Sequence, residues 1–220
     1  MMATTHVFVG LLLAGAVALV APQFAAVAAV AAIVGGLFPD LDVVANHRRT
    51  LHFPVYYWLP AGLTGALALA VPTAGTVGLA VFFLAAAVHS LSDRFGGSHE
   101  LEPWDGTVDR AVYSHYHGRW LGARRWVSYD GSPGDLALAG ALAIPILFLF
   151  DGIVQPIVIG MLVVSIGYAL LRRPIAASLE RVLDRVPRPD HGSGEGSSRP
   201  ASDGRSRRRD SGDRVDRRNR

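Results

Sequence analysis

From Val7 to Phe38 the chain carries no charged residue. A helix that meets water needs a polar face, so helices built from this stretch have no side to offer solvent. Later runs repeat the pattern, and six can be marked: about 5–21, 23–38, 56–71, 77–92, 135–150 and 154–171. Spanning a bilayer takes about 20 residues, within a range of about 17–25. The runs therefore predict an all-α, polytopic membrane protein with about six transmembrane helices, some of them a turn short. The first run is not a cleaved signal peptide on this reading. MMATTH lacks a basic n-region, and the next apolar run begins directly after Pro22 and Gln23, as in a helical hairpin.

Charge sets the orientation. The chain has no Lys, and the connections APQ, VPTAG and FDGIV contain no Arg. All 21 basic residues fall in the 39–55 loop, the 93–134 loop and the C-terminal region, on the same side as the N-terminus. The positive-inside rule then places both termini and both large loops in the cytoplasm of a multi-pass cell-membrane protein. Two parts are expected: a membrane-embedded domain, 1–186, and an Arg-, Asp-, Ser-, Gly- and Pro-rich tail, 187–220. The tail has too little apolar surface to offset its ordering entropy and reads as disordered. Its ten arginines exceed its six acidic residues by four, more than the whole-chain net of +3, so the remainder is close to neutral. It reads as a solvated cytoplasmic tail rather than a nucleic-acid-binding arm.

Absences narrow the chemistry. Without Cys there are no disulfides and no thiolate ligands, so any metal must be held by His, Asp or Glu. Without Lys, Schiff-base and P-loop lysine mechanisms fall away. A transporter would place ionisable groups near the bilayer midplane, and the apolar runs hold no charged residue there.

The ionisable groups gather instead at run ends. His6, His47, His52, His89, His99, His115, His117 and His191 all lie at or beyond the cytoplasmic ends. GLFPDLDVVANHRRTLH, residues 36–52, begins where the second run ends. Pro39 ends or redirects that helix, and Asp40 and Asp42 can converge in the irregular turn that follows. In HSLSD, His89 and Asp93 stand four apart, on one helical face. His6 sits in the first turn of the first run, with Thr4 or Thr5 as a candidate N-cap. These oxygen and nitrogen donors meet at adjoining helix ends without sulfur, a set suited to Zn, Mn or Fe.

The order His6, PDLD, HRRTLH and HSLSD resembles the YdjM/YbcI family of membrane-bound, metal-dependent hydrolases. That family is similar to the zinc-dependent phospholipase C and nuclease group. The resemblance covers about residues 1–95 by motif and the rest by hydropathy. The family pattern after Pro-Asp-x-Asp is His-Arg-Gly-x-Thr-His-Ser, whereas HRRTLHF has Arg49 for Gly, Thr and Leu exchanged, and Phe53 for Ser. The resemblance implies metal ligation by His6, Asp40, Asp42, His52, His89 and Asp93, with His47 as a further ligand. It also implies zinc, or alternatively manganese, and a phosphoester substrate at the membrane.

Two residues are expected to act on that substrate. Arg48, next to the ligand set, can hold phosphate bidentately. His115, in the aromatic-rich 93–134 loop, is a candidate general acid or further ligand. That loop reads as an interfacial flap or as a lid whose Arg110, Arg119, Arg124 and Arg125 bind an anion, with a short hairpin in RWLGARRWVSYDG. The function expected is a metal-dependent hydrolase of phosphoesters at the cytoplasmic membrane face. The competing expectation is a non-catalytic membrane anchor whose basic tail recruits a partner.

Overall fold

A computed structural model describes residues 1–98, 100–183 and 185; the predicted tail, with His191, and also His99 lie outside the described residues. Six helices follow the six apolar runs: α1 (Ala3–Val20), α2 (Ala25–Leu37), α3 (Trp58–Ala70), α4 (Ala74–Ser92), α5 (Pro133–Leu149) and α6 (Val154–Leu183). Four segments are long and apolar enough to cross a membrane: Ala3–Val20, Pro22–Val44, Ala74–Phe95 and Val154–Val182. The 13-residue α3 and the 17-residue α5 fall outside these four segments, so six full-length spans do not follow. The outward faces match a bilayer setting, with Leu19, Leu69, Phe148, Val163 and Leu170 all exposed.

The expected all-α fold needs one amendment. A two-stranded antiparallel hairpin, β1 (Val112–Ser114) and β2 (Arg119–Leu121), pairs Tyr113 with Trp120. It lies upstream of most of the stretch expected to form it, because Gly118, at φ +61°, supplies the turn. The hairpin docks on the polar loop after α2, where Tyr113 N–H donates to the Arg48 carbonyl at 2.9 Å.

Helix ends follow local chemistry. Pro39 has no N–H to continue α2, and the chain tightens into a 3-10 turn, Pro39–Val44. Thr73 and Thr76 form a reciprocal capping box at the start of α4. Ser132 caps α5, with Pro133 in its first turn. The predicted cap of α1 is not used. Thr5 Oγ1 instead donates to Asp135 Oδ1 at 2.8 Å, Met2 N–H donates to Asp135 Oδ2 at 2.6 Å, and Ser165 Oγ donates to Thr4 Oγ1 at 2.7 Å. These bonds tie the start of α1 to α5 and α6.

The core sits around α1, whose Val7, Phe8, Leu11 and Ala14 are fully buried against Ala28, Ala29 and Ala32 of α2 and Val81 of α4. Small residues let these backbones approach closely. A β-carbon at Gly36 would stand 3.0 Å from Val7 Cα, and one at Gly35 would collide with the Phe82 carbonyl. This close packing brings the ends of α1, α2 and α4 within side-chain reach of one another.

Candidate metal centre

Four donors converge at those ends: Asp40 from the 3-10 turn, His52 from the following loop, His89 near the end of α4, and Asp93 just beyond it. One ligand atom from each lies within 4.8 Å of all the others. His52 Nε2 is 3.0 Å from Asp93 Oδ2 and 3.6 Å from Asp40 Oδ1. His89 Nε2 is 3.3 Å from Asp40 Oδ1 and 3.8 Å from Asp93 Oδ2. Ligands at about 2.0–2.2 Å from a tetrahedral ion stand about 3.3–3.6 Å apart, so these spacings bracket that geometry.

Hydrogen bonding points the same way. His89 Nε2 is buried without a hydrogen-bond partner, and the buried His52 Nε2 and Asp93 Oδ2 stand 3.0 Å apart with no other hydrogen bond to satisfy them. Such orphans are costly unless something occupies the space between them. On the far side of each ring, the other nitrogen is engaged. His89 Nδ1–H donates to the Gly36 carbonyl at 2.6 Å, and His52 Nδ1–H donates to Asp42 Oδ2 at 2.9 Å. Both bonds fix the proton on Nδ1 and turn the Nε2 lone pair inward, the arrangement of a metal-binding imidazole. Burial alone would push the His52 imidazole down. The flanking carboxylates of Asp42 and Asp93 outweigh it and raise the pKa to about 9. A field that favours a proton there also favours a divalent cation.

The remaining expected ligands surround the centre without joining the four. Asp42, fully buried, accepts five hydrogen bonds: from the N–H groups of Arg48, Arg49 and Leu51 and from the rings of His47 and His52. Both its oxygens are committed to folding the 46–52 loop. Those bonds hold Arg48 at φ +60°, a conformation that costs a non-glycine residue about 1–2 kcal/mol. The strained position is thus Arg48, one residue before the family-like glycine position. His47 donates from Nδ1 to Asp42 Oδ1 at 2.9 Å. His6 stacks on His89 with ring centroids 3.8 Å apart, and it bonds Asp93 Oδ1 and Ser92 Oγ, each at 3.0 Å. It therefore braces one ligand from each side.

The two expected substrate-acting residues also find other partners. The buried Arg48 guanidinium donates to the Gly97 carbonyl at 2.8 Å and stands 3.7 Å from Asp93 Oδ2, as a counter-charge. His115 is held by the Arg49 carbonyl at 2.6 Å and lies against Phe53, bracing the loop from outside the cluster. A cavity of about 330 Å³ adjoins Asp40, and a second of about 500 Å³ continues from it. Their arginines are Arg48 and Arg172, not Arg110, Arg119, Arg124 or Arg125. Sequence reasoning also missed Gly36, Ser92, Asp130 and Tyr168. Each acts through a partner far away in the chain, so no local motif marks it.

This centre defines a two-histidine, two-carboxylate constellation at the ends of apolar helices, with a cavity beside it. The chain matches no protein-family model, and none of the curated proteins or solved structures compared with it is significantly similar.

Proposed function

We propose that the protein is a membrane-bound, metal-dependent hydrolase acting on phosphoesters at the cytoplasmic face, with six membrane-embedded helices and both termini inside. The observation that carries the reading is the convergence of one ligand atom each from Asp40, His52, His89 and Asp93 within 4.8 Å of one another, three of these residues being buried. The motif resemblance to the YdjM/YbcI family supports it independently of the geometry.

Two imidazoles and two carboxylates suit zinc, with manganese as the alternative. Such an ion, when bound, supplies Lewis acidity and lowers the pKa of a coordinated water toward about 7. The chain's own groups do the rest. Hydrolysis joins the oxygen of water to phosphorus as the ester P–O bond breaks, and a proton ends on the leaving oxygen. His47 lines the cavity beside Asp40 and is oriented through Nδ1 by Asp42, which makes its imidazole the group placed to carry that proton. Arg48, on the same wall, offsets the charge of Asp93.

The test is metal analysis of the purified full chain, followed by hydrolysis of bis-p-nitrophenyl phosphate with and without added zinc or manganese. Stoichiometric metal and metal-dependent turnover are expected. A chain with neither is the non-catalytic anchor instead.

A further inference from the structure

Of the four converging side chains, His52, His89 and Asp93 are at most 2% exposed, whereas Asp40 is 23% exposed. Whatever reaches the centre must therefore arrive past Asp40. The cavity there has two unlike ends. One lies between the 39–44 turn and α6, where Val43 is 68% exposed and Val164 is 63% exposed. Leu41, Val44 and Val163, close in sequence to these lining residues, are exposed too, all inside segments apolar enough to cross a membrane. In a bilayer, apolar side chains at the end of such a segment lie at the boundary that acyl chains reach. The other end continues into the 500 Å³ chamber, where Ser98, Glu100 and Arg172 supply polar walls. The two spaces share Val43, His47, Arg48, Asp130 and Tyr168, so apolar mouth and polar chamber meet beside the centre.

We infer that the site is entered sideways from the membrane and takes an amphiphilic phosphoester lipid. Its tail stays against Val43 and Val164, and its head group lies in the polar chamber. This rests on the hydrolase reading for the class of head group, and the entrance rests on geometry alone. The groove between α1, α3 and α4 is larger, at about 600 Å³, but no ionisable residue lines it, so it offers a head group nothing to bind.

The experiment reconstitutes the full chain in phosphatidylcholine vesicles carrying a trace of diazirine-acyl phosphatidic acid, then maps photo-cross-links by mass spectrometry. Label on residues 41–44 and 163–165 should be displaced by excess unlabelled phosphatidic acid and not by extra phosphatidylcholine. Val43→Trp and Val164→Trp narrow the mouth from exposed positions outside the core. Each should lower the displaceable label about tenfold, the effect of filling a fitted space with excess volume. Leu69→Trp, on the outer face of α3, should leave it unchanged. Label displaced equally well by phosphatidylcholine, or indifferent to both mouth variants, overturns the inference.

Turnover separates this result from the hydrolase reading. The mouth variants should slow cleavage of the lipid more than that of bis-p-nitrophenyl phosphate; equal loss on both substrates overturns the side entrance. Selective labelling without any hydrolysis keeps the lipid site and removes the hydrolase. Hydrolysis with unselective labelling does the reverse.

Discussion

Asp42 Oδ2 lies 2.9 Å from His52 Nδ1, while Oδ1 of the same carboxylate lies 2.9 Å from His47 Nδ1. One buried acid thus aims both the imidazole that faces the candidate metal centre and the imidazole that lines the cavity. It does so while gathering three backbone N–H groups of the loop between them.

That arrangement separates ligands from the residues that aim them. His52→Ala and His89→Ala should abolish stoichiometric metal. Asp42→Asn and His6→Ala should retain it with affinity lowered about 10–100-fold, the usual cost of losing an orienting partner. Isothermal titration with zinc reads the difference. His117→Ala, whose ring bonds Ser114, is the control and should match wild type. Equal loss in all four variants would contradict the division.

The cavity histidine has its own signature. His47→Gln should keep metal occupancy yet lower turnover of bis-p-nitrophenyl phosphate by about 10²–10⁴-fold, the range of general acid–base catalysis. The pH–rate profile should lose one limb. Loss of metal together with activity would make His47 a ligand after all.

Close helix approach is needed to assemble the site. Gly35→Ala pushes against the Phe82 backbone, which cannot yield as a flexible side chain would. It should destabilise the fold by about 1–3 kcal/mol or more, by the cost of overpacking, and loosen metal binding through the neighbouring Gly36 carbonyl. At Gly65 a β-carbon meets nothing within 4 Å, so Gly65→Ala should be neutral or mildly stabilising. Thermal unfolding in detergent compares the two.

Asp130, on the wall of the cavity beside the candidate centre, gives the stability a pH dependence of its own. Burial would raise its carboxyl pKa, but hydrogen bonds from Arg172 and Tyr168 outweigh this and hold it below the ordinary value. A depressed folded-state pKa stabilises the protein above the ordinary aspartate range, and that contribution is lost as pH falls through the lowered value. Asp130→Asn should therefore lower the melting temperature near neutral pH and narrow the gap to wild type in acid. A constant gap across the titration would show that the ion pair adds nothing.

Much of this was legible in the residues themselves. Uninterrupted apolarity marks all six helices, and Pro39 marks the turn that carries Asp40, because both signals are local. The donor set was also readable, since His and Asp stand out at the ends of runs that otherwise exclude charge. Sequence could not sort that set. Asp40 and Asp42 look equivalent two residues apart, yet the 3-10 turn sends one carboxylate to the centre and the other beneath the loop. His6 and His89 look equivalent at helix ends, yet the Gly36 carbonyl, 53 positions from His89, turns the His89 Nε2 toward the Asp40–His52–Asp93 cluster. A residue's chemistry is its own, but the direction in which it points is set by partners that only the folded chain brings near.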